Sequence, residues 1–301
     1  MSGGRLQADW DPDAESDRNQ PPQRPALKRM TGDVAALIEA PLPGIVVFPT
    51  SDARHVFALI TGPEGTPYES APFIVKVLFP RDYPLVPPKV KWLTTGGGAV
   101  RMGPNLYANG KVCLSILGTW HGPSWLPAQS LSSVLLSIQS LMGEDAARNE
   151  PGHEAASEEE VGRLNDVLAH EVLRVAVLEQ ARAGAPGLPA EVQEQVVEAF
   201  RDLWEVHAER ARELGRRLDG RPFAEPGYAM VVGGARKFRF GEVAKGIEDL
   251  ARALPPRREE GEGEEEEGAG GGGGGGGGPA AAQGAPAAAG GAPEAGGGAP
   301  T

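Results

Sequence analysis

Cys113 is the only cysteine in a chain of 301 residues, so any thiol chemistry has one possible bearer. A lone cysteine has two readings. It is either a small buried hydrophobe or, as the thiolate, a nucleophile, and residue type alone favours the first. The run Asn105-Leu106-Tyr107-Ala108-Asn109-Gly110-Lys111-Val112-Cys113-Leu114-Ser115-Ile116-Leu117 supplies no histidine to activate it. His121 is the nearest, and nothing in the spacing specifies a Cys–His pair. Gly96-Gly97-Gly98 lacks the lysine and following helix of a phosphate-binding loop and reads as a turn. The five histidines show no metal-ligand spacing, and neither a metal nor a cofactor is expected.

These residues need a scaffold, and the pattern supplies one. Leu27, Met30, Val34, Leu37 and Ile38 recur at helical spacing and stop at Pro41 and Pro43. Four β-branched or aromatic runs follow: Ile45 to Phe48, His55 to Thr61, Phe73 to Phe79 and Lys89 to Leu93. The links between them are short, which predicts an antiparallel meander rather than crossover units. A long irregular stretch, Thr94 to Pro127, carries the cysteine; loops of that length in a compact domain tend to be functional. Helices are predicted at Gln129 to Met142, Val161 to Ala183, Ala190 to Leu218 and Gly241 to Leu254. The fold class is therefore α+β with a helical extension. Phe200, Trp204 and Phe223, with Val192, Val196 and Leu203, are expected to pack that extension onto the core.

Composition bounds the rest. From Arg257 onward nearly every residue is Gly, Ala, Pro or Glu, and such a segment cannot offset the entropy of its own ordering. With two arginines and eight glutamates, it carries half of the formal net charge of −12. The expected division is a disordered segment 1–24, a core domain 25–183, a helical extension 184–256 and a disordered tail 257–301. No net basic stripe suggests nucleic acid, and no apolar run suggests a membrane span or a secretory signal. One cysteine fits a reducing compartment, either cytoplasm or nucleus.

Several motifs, in order, resemble the ubiquitin-conjugating enzyme family. They are Ala26-Leu27-Lys28-Arg29-Met30, Gly62-Pro63-Glu64-Gly65-Thr66-Pro67-Tyr68, the proline-rich run Phe79 to Val90, Gly103-Pro104-Asn105 eight residues before the cysteine, and Trp125-Leu126-Pro127-Ala128. Four additional residues between Cys113 and Trp125, together with Asn149-Glu150-Pro151-Gly152 and the helix around His170, fit the Z-type branch. The resemblance implies the family's fold, an N-terminal helix, a four-stranded antiparallel meander, a central helix and then the extension. It also implies a transferase that holds ubiquitin or a ubiquitin-like modifier as a thioester on Cys113 and passes it to a substrate lysine.

Under the same resemblance Asn105 either stabilises the oxyanion or orders the loop, and both roles stay open. Glu150 is the acidic candidate for lysine deprotonation, because Ser115 occupies the position where relatives carry an acid. Lys28 and Arg29 would meet the activating enzyme; Leu85, Pro127 and Ala128 would meet ubiquitin ligases. Gly103 stands where the family has histidine, which predicts a missing brace and a freer backbone. Cys113 is expected to be water-accessible, which spares the thiolate a desolvation penalty. The alternative reading is a weak or inactive scaffold of the same fold that only binds partners.

Overall fold

The computed structural model describes residues 11–12, 21–223 and 237–257. Of the segments expected to be disordered, 1–24 and 257–301, residues 1–10, 13–20 and 258–301 lie outside them, and Arg24 stands in the first helix, contrary to that expectation. Described residues up to Pro255 belong to one compact unit, and Pro256 and Arg257 belong to a second.

Helix α1 (Arg24–Glu39) buries Ala26, Met30, Asp33, Val34 and Leu37, the stripe that its three- and four-residue spacing defines. Strands β1 (Ile45–Pro49), β2 (His55–Thr61), β3 (Pro72–Leu78) and β4 (Lys89–Trp92) form one antiparallel sheet in sequential order. Alternation puts Ile45, Val47, Val56, Ala58, Ile60, Phe73, Val75, Val77, Val90 and Trp92 on one face, and all of them are buried. Helix α2 (Leu131–Ser140) adds Leu131, Val134, Leu135 and Ile138 to the same core. Each buried Val, Leu, Ile or Phe among them stabilises the fold by about 1.5–3 kcal/mol relative to exposure.

Helix α3 (Glu158–Glu171) starts three residues before the predicted helix. The cause is a capping box in which the Ser157 hydroxyl accepts from the Glu160 N–H and the Glu160 carboxylate accepts from the Ser157 N–H. It runs into a π-helical segment, Val172–Glu179, and the short α4 (Gln180–Ala183). The π-helical segment packs against β3, helix α5 (Ala190–Leu218) and helix α6 (Phe240–Ala253), so its apolar side chains are buried almost all round. Of the extension's expected stripe, Leu203 is only partly buried and stands outside the core, while Val192, Val196 and Phe200 are buried, with Trp204 and Phe223 against the core. They share one continuous core with Met30 and Trp92.

Candidate active site

Beyond β4 the chain folds back on itself. Bridges pair Lys91 with Lys111 and Leu106 with Val112, bringing the asparagine and the cysteine opposite one another. The Cys113 N–H donates to the Asn105 carbonyl at 2.9 Å, and the Asn105 side-chain amide donates to the Cys113 carbonyl at 3.0 Å. From the other side, Thr119 accepts from the Leu114 N–H at 2.9 Å and donates to the Val112 carbonyl at 2.6 Å. The longer stretch after the cysteine thus locks the two residues that flank it.

Cys113 is only 2% exposed, which corrects the expectation of a water-accessible sulfur. The Tyr107 hydroxyl lies near enough to the sulfur to favour its thiolate, and Lys111, Arg101 and Glu150 are close enough to act on its charge. These four are themselves partly exposed, and Cys113 is not part of the continuous apolar core. Burial pushes the thiol up from its ordinary range; Lys111, the Tyr107 hydroxyl and Arg101 pull against it, and Glu150 adds to the rise. The sulfur is therefore buried among polar side chains and outside the apolar core.

Gly103 has φ +139°, and a Cβ built there would stand 2.8 Å from the Tyr68 hydroxyl. That hydroxyl donates to the Met102 carbonyl at 2.8 Å. Arg101 donates to the Gly103 carbonyl at 3.1 Å and also to the Pro104 carbonyl. The expected loss of a brace is therefore corrected: two neighbouring side chains hold the turn that a histidine would otherwise support. Arg101 also binds Glu150 at 2.7 Å and lies over the Tyr107 ring, 4.2 Å from its centroid. Neither Arg101 nor Tyr107 was singled out from the sequence, because backbone carbonyls and ring faces leave no residue code.

The remaining predicted residues form a second group. Lys28 is exposed. Arg29 pairs with Asp33 at 2.8 Å and donates to the carbonyls of Pro127 and Gln129, so much of its guanidinium faces inward. Asp33 in turn accepts from the Tyr83 hydroxyl and from the Leu131 N–H at the start of α2. The Trp125 indole donates to the Pro84 carbonyl at 2.7 Å, holding together the loops that carry Leu85 and Pro127. Leu85 is 74% exposed, and Pro127 and Ala128 are exposed too. Val86 and Leu126 extend that apolar surface and were missed in the sequence, where exposure is not written.

Residues 29–164 match the sequence profile described as ubiquitin-conjugating enzyme. The protein named ubiquitin-conjugating enzyme E2 Z in Homo sapiens is 43% identical over 230 residues, covering 74% of this chain and 64% of that protein. Its namesake in Xenopus tropicalis is 43% identical over 222 residues, 72% of this chain and 71% of that one. This chain belongs to the ubiquitin-conjugating enzyme family. It is also 44% identical, over 142 residues, to the human dual E2 ubiquitin-conjugating enzyme/E3 ubiquitin-protein ligase BIRC6, 3% of whose length is covered. Against the human E2 Z protein the chain spans slightly less than two thirds of the relative's length. Family membership accounts for the order of the motifs; the Arg101 and Tyr68 contacts are read from the structure of this chain.

Proposed function

We propose that the chain accepts ubiquitin or a ubiquitin-like modifier from an activating enzyme as a thioester on Cys113 and passes it to a substrate lysine. The Cys113 thiolate attacks the carbonyl of the incoming thioester, and the activating enzyme's thiolate leaves. In the second step a lysine amine attacks, gives up a proton and expels the Cys113 thiolate, leaving an isopeptide bond. One thioester replaces another in the first step, so the charge is carried at little energetic cost.

The observation that carries this reading is the reciprocal pairing of Asn105 with Cys113. It sets an amide against the residue that bears the acyl group. One N–H orders the loop through the Cys113 carbonyl, and an amide has a second N–H to offer the oxyanion. An oxyanion donor of this kind contributes about 2.7–4 kcal/mol. Both roles of Asn105 are thus compatible in one side chain. A lysine amine near pKa ~10.4 is almost fully protonated at neutral pH. Glu150, held by Arg101, is the carboxylate to receive that ammonium. Lys28 with Arg29 would meet the activating enzyme, and the Leu85, Pro127 and Ala128 surface would meet ligases.

The test combines purified chain, ATP, a panel of activating enzymes and their modifiers. A reductant-sensitive adduct with at least one modifier is expected; no adduct with any of them would sink the proposal. The buried sulfur favours a second reading, a scaffold of the same fold. It gains if Cys113→Ala keeps every measurable activity.

A further inference from the structure

Three acceptors converge on one side chain beside the sulfur: the carbonyls of Gly103 and Pro104 and the carboxylate of Glu150, all bound by Arg101. Its side chain is 11% exposed. A planar guanidinium can serve several acceptors at once and lie flat on a ring, whereas a lysine ammonium is a point charge on a flexible stem. The fork therefore fixes the turn that leads to Asn105 and holds the acidic candidate. Its flat face also sets Tyr107, whose hydroxyl reaches Cys113. Arg101 touches each of these without bonding the sulfur itself.

We infer that Arg101 is a positioning residue for the transfer step, holding the Gly103–Asn105 turn, the Glu150 carboxylate and the Tyr107 ring in register around Cys113. The inference rests on the function proposed above. The groups that face the sulfur are the Tyr107 hydroxyl, Lys111, Arg101 and Glu150, and of these Lys111 and Arg101 are the cations that favour thiolate. Removing the cation moves thiol ionisation to higher pH, and so does losing the Tyr107 hydroxyl, so it is the lysine variant, which keeps the charge without the fork, that separates charge from geometry.

The test uses the full chain with Arg101→Ala and Arg101→Lys, each driven to full charging by excess activating enzyme. Discharge to free lysine is then followed over pH. Alkylation of Cys113 by iodoacetamide, which needs no partner protein, is followed over the same range. Arg101→Ala is expected to discharge about 10- to 100-fold more slowly at saturating lysine, the scale of a small misplacement of reacting groups. Its alkylation midpoint should move to higher pH. Arg101→Lys should return the alkylation midpoint toward the parent value while discharge stays slow, because the charge is back and the fork is not. Parent-like discharge in Arg101→Ala, or full rescue of discharge by lysine, overturns the inference. If Arg101→Ala does not accumulate folded, the split shown by Arg101→Lys decides alone. A parent chain that never charges defeats the proposed function instead, and the alkylation series still reports on Arg101.

Discussion

Around Cys113 the side chains do by proximity what the family motif does by residue type. The Tyr68 hydroxyl stands 2.8 Å from where a Cβ at position 103 would go, and Gly103 sits at a φ that L side chains rarely adopt. Gly103→Ala should therefore destabilise the fold by about 1–3 kcal/mol, read as a lower urea midpoint with an unchanged slope. Adding Tyr68→Phe should bring no net recovery, since it relieves the contact but removes the hydrogen bond to the Met102 carbonyl and leaves the backbone strain. Full tolerance of Gly103→Ala would show that the turn is not held as described. The sequence contained the glycine and could not say what replaced its missing side chain. For the same reason the accessibility of Cys113 was misjudged: its burial beside Tyr107, Lys111, Arg101 and Glu150 is a tertiary event that no local spacing encodes.

Among elements, Asp33 joins three that are far apart in sequence. It pairs with Arg29 within α1, accepts from Tyr83 in the proline-rich turn and accepts from Leu131 at the first turn of α2. Burial and this bond push the Tyr83 hydroxyl well above its ordinary range, so it stays a protonated donor. Asp33→Ala removes a helix cap and leaves a buried hydroxyl unsatisfied, which together cost about 2–4 kcal/mol. Chemical denaturation checks this, and a loss below the cap alone would argue against the shared role. The elements themselves were legible to within a few residues, because apolar periodicity and prolines mark them. Two details were not. The early start of α3 follows from the Ser157 and Glu160 spacing, a signal present in the sequence and not used. The π-helical stretch was invisible, since one widened turn barely alters an almost wholly apolar run.

Across the whole molecule, the extension reaches back to the hairpin that carries Tyr68. His207 on α5 bonds the backbone of Ser70, and Arg210 donates to the carbonyls of Thr66 and Glu69. Burial pushes the His207 pKa down to about 4, with Arg210 nearby acting in the same direction. The unfolded chain therefore binds a proton near pH 6.5 that the folded chain refuses until about 4. Stability should be fully present above pH 6.5 and fall as the pH drops through that window, by on the order of 3 kcal/mol. Urea unfolding at pH 7 and pH 5 should show about 2 kcal/mol of that loss, and His207→Asn should flatten it; an equal slope in both proteins would contradict the assignment.

The account depends on Cys113 taking an acyl group in spite of its cover. Intact-mass analysis of the charged chain, followed by peptide mapping without reductant, tests this directly. The predicted result is a gain of one modifier less one water, mapped to the peptide containing Cys113, released by thiol and absent from Cys113→Ala. A modifier found only on lysines, or a Cys113→Ala chain that gains the same thiol-labile mass, would contradict it.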